Sequence, residues 1–251
     1  MPNTYYKTQH DRLLEHINSL AKDGGNYTIS NEVLLIDQPL KDLLISGNYE
    51  YVVGIAGGGE FLRLAALAGK NAKEIYVVDK DEVALKRTRV MLEILEEPDR
   101  NMRDFYFRYY LNECNADKSY GEYYKAVLPD IDIDRSMGFP YRTNYLHENI
   151  ADAFHEVTQR KRGRYFFYFS NIIGSGWVGK KENSLLLEFK NNSNIAPGSA
   201  MLLVANDFEH LILLQKIGKG KIRTLEFLNS PYDYYLRKGE DKSGALNKFL
   251  R

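Results

Sequence analysis

The chain has 251 residues, 44% of them hydrophobic and 27% charged, which suits one globular α/β domain with additions. Lys+Arg and Asp+Glu balance at 34 each, so no overall field draws in nucleic acid or a membrane surface. The single cysteine, Cys114, excludes an intrachain disulfide, and no apolar run approaches the roughly 20 residues that span a bilayer.

The opening stretch, MPNTYYKTQHDRLLEHI, lacks the charged-then-apolar layout of a signal peptide, so the cytoplasm is the expected location. Leu13, Leu14, Ile17 and Leu20 recur at helical spacing, and Gly24-Gly25 are the expected stop. Pro39 suits the first turn of a second helix carrying Leu40, Leu43 and Leu44, with Gly47 ending it. Residues 1–48 are therefore expected to form an N-terminal helical cap. It covers a sheet edge, roofs the site or simply adds a packing layer.

Residues 49–251 read as the main domain. Tyr51, Val52, Val53 and Ile55 form an apolar run that enters Gly57-Gly58-Gly59; a helix from Glu60 to Ala68 closes on Gly69; a second run, Ile75 to Val78, ends on Asp79. Strand, glycine turn, helix, strand and acid is how a parallel sheet presents a nucleotide site. Asp81 then caps a long helix to about Leu95, so the chain begins β-α-β-α with right-handed crossovers.

The rhythm breaks across residues 99–145, an aromatic-rich insertion. FYFRYYL and GEYYKAV read as helical, and the third strand is placed somewhere in Ile131 to Tyr145. Leu146, Ile150, Phe154 and Val157 form a further helical stripe ended by Arg160-Lys161-Arg162. Arg164 to Ile173 is a buried strand finishing on Ser170-Asn171, and a helix follows around Ser184 to Lys190. Ala196-Pro197-Gly198 turns into a fifth strand, Ala200 to Ala205. Leu211 to Ile217 and Ile222 to Leu228 flank GKGK as an antiparallel hairpin, with Tyr232 to Leu236 as one more strand.

Asp79 is the expected ribose acid, because Asp81 fits the helix cap better. A dinucleotide fingerprint G-x-G-x-x-G fails at Ala56 when started from Gly54, and at Leu62 when started from Gly57. No G-x-x-x-x-G-K-[ST] occurs. Three blocks, VVGIAGGGE, YVVDKD and APGSAMLLVAND, resemble the class I S-adenosylmethionine-dependent methyltransferases over Tyr51 to Leu228. The resemblance implies a Rossmann-like three-layer sandwich, with a mostly parallel sheet and the C-terminal hairpin. It also implies S-adenosylmethionine as cofactor, with a small-molecule acceptor. On that pattern Gly58 holds the most characteristic glycine, Gly54 replaces the usual acid, Ala56 the first glycine and Glu60 the last. The implied cofactor contacts are Gly54, Ala56, Gly57, Gly58, Gly59, Glu60, Asp79, Lys80, Ser170 and Asn171. The I-A-G-G-G-E variant and the Ser-Asn are also similar to betaine-lipid-synthase-type proteins, which implies 3-amino-3-carboxypropyl transfer as the alternative. A third reading keeps the fold as a non-catalytic nucleotide-binding module.

No residue is named as catalytic, since such transfers rest mainly on positioning. The aromatics from Phe105 to Tyr145 shape an acceptor pocket, or else a dimer interface or ordinary core. DIDID at Asp130 to Asp134 lacks the glycine and glutamate of a calcium loop. His147 and His155 are read on one helix face, about 12 Å apart, too far for one metal. Cys114 is structural, and NSPYD at Asn229 is a coincidence of sequence. The basic run 161–164 ends a helix, and nucleic acid is not the expected partner.

Overall fold

A computed structural model describes residues 4–23, 38–56, 60–114, 143–173, 181–205 and 211–227. In chain order the elements are α1 (Thr4–Lys22), α2 (Gln38–Ser46), β1 (Tyr51–Ile55), α3 (Glu60–Ala68), β2 (Glu74–Asp79), α4 (Glu82–Leu95) and α5 (Arg100–Glu113). They continue with β3 (Thr143–His147), α6 (Ile150–Arg160), β4 (Tyr165–Ile173), α7 (Lys181–Asn191), β5 (Ala200–Ala205), β6 (Leu211–Gly218) and β7 (Lys221–Phe227).

The strands form one seven-stranded sheet in the order β3-β2-β1-β4-β5-β6-β7. The five strands β3-β2-β1-β4-β5 run parallel to one another, while β6, antiparallel to β5, and β7 form the antiparallel hairpin. Both faces are covered, so the central strands carry apolar side chains at nearly every position. Val52, Ile75, Val77, Phe166, Tyr168 and Leu202 face one core, shared with α1 to α5. Val53, Val78, Phe167, Phe169, Met201 and Leu203 face the other, beneath α6 and α7. This is the Rossmann-like three-layer sandwich that the sequence implied.

The first two helices are a packing layer. Leu13, Ile17 and Leu20 of α1 and Leu44 of α2 join the same core as α3, α4 and α5. Polar bonds fix α1 further: His16 Nδ1 lies 2.9 Å from Glu93 Oε2, and the Tyr109 hydroxyl donates to Asn18 at 2.8 Å.

Two expectations need correction. The third strand begins inside the expected window but runs past it to His147. Its sequence, TNYLH, has no continuous apolar run because an edge strand is covered less completely than a central one; its residues are at most half-buried. Leu146 and His147 therefore belong to a strand, and His147 shares no helix face with His155. The cause is Asn149: its side chain accepts the Ala151 N–H at 2.9 Å from an extended backbone, so α6 cannot begin before Ile150.

The first part of the aromatic stretch is helical as expected, and there the ordinary-core reading holds. FYFRYYL lies in α5, where Tyr106, Phe107 and Tyr110 are core residues packed in the same cluster as α1. GEYYKAV, DIDID, Gly24-Gly25 and everything from 228 on lie outside the described residues. No described helix is long and apolar enough to cross a membrane.

Candidate functional site

In this sheet the chain steps outward from β1 to β2 and β3, then returns to lay β4 and β5 on the other side. α3, which follows β1, and α7, which follows β4, pack on opposite faces, and the crevice between the carboxyl ends of these two strands is where such sheets bind ligands. The β1–β4 ladder stops at Gly54–Tyr168. Beyond it, β4 continues to Ile173 with an irregularity against β5: Ser170 pairs with Val204 and Ile173 with Ala205, leaving Asn171 and Ile172 as extra residues. A bulge at this point takes the main chain of Ser170-Asn171 out of regular register at the rim of the crevice.

On the other side of β1, Ala56 is buried and donates its N–H to the Val78 carbonyl at 2.8 Å. That bond ties the chain entering the glycine turn to the residue before Asp79. Gly57, Gly58 and Gly59 lie outside the described residues. The elements on either side of them are β1, ending at Ile55, and α3, opened by Glu60. This is the strand-before, helix-after setting that a nucleotide-binding glycine turn requires.

Gly54 is buried under α3. A Cβ at this position would stand 2.2 Å from Cδ2 of Phe61 and 2.3 Å from its Cε2. The Phe61 ring in turn stacks on Tyr168, with centroids 6.2 Å apart and planes 7° from parallel. The missing side chain lets α3 approach the sheet, the task that the last glycine performs in a dinucleotide fingerprint.

Asp79 ends β2 on this rim, half-buried. Its Oδ1 accepts the Asp81 N–H at 2.9 Å, while Asp81 itself caps α4 by accepting the Val83 N–H at 2.8 Å. Asp81 thus takes the helix-cap role expected of it, which leaves the Asp79 carboxylate out of the cap. Burial raises the Asp79 carboxyl above its ordinary value, only partly offset by the main-chain N–H groups of Asp81 and Lys80. Among the described residues it forms no ion pair with a lysine or arginine. Lys80 is exposed, and its carbonyl oxygen lies 2.7 Å from His147 Nε2. Glu148, next along, is also raised by burial, with Glu156 and Asp152 adding to it.

No family model and no curated protein matches this chain. Solved structures do. One is a Plasmodium falciparum protein assigned as a protein-L-isoaspartate O-methyltransferase, in complex with S-adenosyl-L-homocysteine. It is 11% identical over 77% of this chain and 67% of that one, with a TM-score of 0.37.

Other candidates lie elsewhere. Lys161 Nζ is 2.7 Å from Glu74, and Arg160 pairs with Glu156, so the basic run sits at the amino ends of the parallel strands, opposite the rim. His155 contacts Glu188 of α7 at 3.2 Å. Among the described residues no three His, Cys, Asp or Glu side chains are grouped to hold a metal. Cys114 is half-buried at the end of α5, and burial raises its thiol above the ordinary value, the environment of an unreactive cysteine. Sequence reasoning missed Phe61 and His147, although the adjacency of Phe61 to the glycine turn was a usable signal.

Proposed function

We propose that the chain is an S-adenosylmethionine-dependent transferase, and within that class a methyltransferase acting on a small molecule. One observation carries the proposal: Ala56, the residue before the three glycines, is hydrogen-bonded to Val78, so the end of β1 and Asp79 share one rim of the switch-point crevice.

The acid suits a ribose. Its half-buried carboxylate lacks a cationic partner among the described residues, and the two hydroxyls of a ribose donate the bonds that offset its desolvation. Gly57, Gly58 and Gly59 bring main-chain N–H groups close to the cofactor, with Ala56 and Glu60 at the two ends of that turn. Lys80 flanks the acid, and Ser170 and Asn171 supply the facing wall at the bulge. The bound sulfonium supplies an electrophilic carbon, and the chain's work is to hold an acceptor in line with it. The basic run lies at the far end of the sheet, where Lys161 pairs with Glu74, and offers no cationic track at this rim, which supports a small molecule over a nucleic acid.

Calorimetry with S-adenosylmethionine tests the reading; no heat at millimolar cofactor overturns it. Asp79→Ala is expected to weaken binding by about 1.5–3 kcal/mol, the size of hydrogen bonds to a charged group. Product analysis then assigns the reaction: S-adenosylhomocysteine marks methyl transfer and methylthioadenosine marks 3-amino-3-carboxypropyl transfer. Binding without either product, across acceptors, assigns a non-catalytic module.

A further inference from the structure

We propose that His147 is the positioning residue for Asp79, acting through a single peptide unit between them. The inference rests on the transferase reading above. His147 closes β3 and is the register partner of Asp79 on β2. Two bonds cross from the end of β3 to the turn after Asp79. The Glu148 N–H donates to the Asp79 carbonyl at 3.0 Å, a main-chain bond that any residue but proline supplies. The other depends on a side chain: His147 Nε2 stands 2.7 Å from the Lys80 carbonyl oxygen. A carbonyl oxygen only accepts, so Nε2 carries the proton and donates it.

The Lys80 carbonyl belongs to the same peptide plane as the Asp81 N–H, and that N–H is the donor to Asp79 Oδ1 at 2.9 Å. A trans peptide is planar, with its C=O and N–H pointing opposite ways. Gripping the oxygen therefore fixes the direction of the hydrogen. The relay runs from the imidazole, through one rigid unit, to the carboxylate expected to meet the ribose. A hydrogen bond at the carbonyl also polarises the peptide and strengthens the bond given by its N–H. Asp79 has no ion pair with a lysine or arginine among the described residues to hold its rotamer; main-chain N–H groups of Asp81 and Lys80 do so, and the Asp81 one, on the peptide that His147 grips, has the larger effect.

The test is calorimetric titration of the full chain with S-adenosylhomocysteine, paired with thermal melting. His147→Gln keeps a donor at about the reach of Nε2; His147→Asn is one methylene short of it; His147→Phe keeps a ring and has no donor. The Gln variant is expected to bind within about two-fold of the unmodified chain. The Asn and Phe variants are expected to bind about three- to ten-fold more weakly, the worth of one hydrogen bond. His155→Phe, which removes an imidazole bonded to Glu188 away from the rim, is the control and should bind unchanged. In an Asp79→Ala background His147→Phe should cost nothing further, because the group it orients is gone. Equal affinity of the Gln and Asn variants, or a loss that persists in the Asp79→Ala background, overturns the relay while leaving the cofactor assignment intact. If the unmodified chain takes up no S-adenosylhomocysteine, the transferase reading fails first and the relay with it.

Discussion

The contact between Gly54 and Phe61 allows the sharpest test of how the rim is built. A methyl group added at Gly54 lies 2.2 Å from Phe61 Cδ2, well inside van der Waals contact, so the ring must move. It has nowhere easy to go. Phe61 is fully buried, and its ring stacks on Tyr168, itself buried. Overpacking of this kind costs about 1–3 kcal/mol, which in a chain of this size lowers the melting temperature by roughly 2–4 °C per kcal/mol. Phe61→Ala alone leaves a cavity and is expected to cost about 3–5 kcal/mol. The diagnostic is the double variant. With the ring gone, the new methyl occupies freed space, so Gly54→Ala with Phe61→Ala should be less destabilised than the sum of the singles by about 1 kcal/mol or more. Denaturant unfolding followed by circular dichroism measures all three. A Gly54→Ala variant within about 0.5 kcal/mol of the unmodified chain, or strict additivity in the double, refutes the packing argument.

Two further predictions use pH. Burial raises the Asp79 carboxyl above its ordinary value of 3.8, so its contribution favours the fold below that value and is lost as pH rises through the raised one. Asp79→Asn should therefore melt higher than the unmodified chain at pH 7 without cofactor, and the gain should shrink towards pH 4; a lower melting point at pH 7 contradicts the desolvation argument. Glu74 behaves in the opposite sense. Burial pushes its carboxyl up, but hydrogen bonds from Lys161 and Tyr76 outweigh that and hold it below its ordinary value of 4.5. Its stabilisation is present above that value and lost as pH falls through the lowered one, so Glu74→Gln should destabilise at pH 7 and converge with the unmodified chain in acid. A difference that does not change with pH sinks that account.

Much of this architecture is legible in the residues taken locally. Apolar runs such as Tyr51–Ile55 and Tyr165–Ile173, and the stripe Ile150, Phe154, Val157, declare strands and a helix because burial on a sheet or one helix face imposes a period on the side chains. Asp81 and Pro39 mark helix starts because the unpaired N–H groups there need a short polar acceptor or a residue with no N–H to leave unpaired. The acid closing the second strand, and the glycines after the first, are likewise visible in order along the chain. An edge strand escapes this reading: Thr143–His147 is covered less fully, so its pattern never becomes a run. Local reading also failed at Leu146 and His147, where the register of β3 on β2 overrides a plausible helical spacing. Only the folded chain brings His147 onto a carbonyl 67 residues away, lays Phe61 in the hollow of Gly54 and shifts the register at Ser170-Asn171. The physical reason is range. Propensity, capping and periodicity act within a few residues, whereas the direction in which a carboxylate points is set by which distant peptide the sheet happens to place beside it.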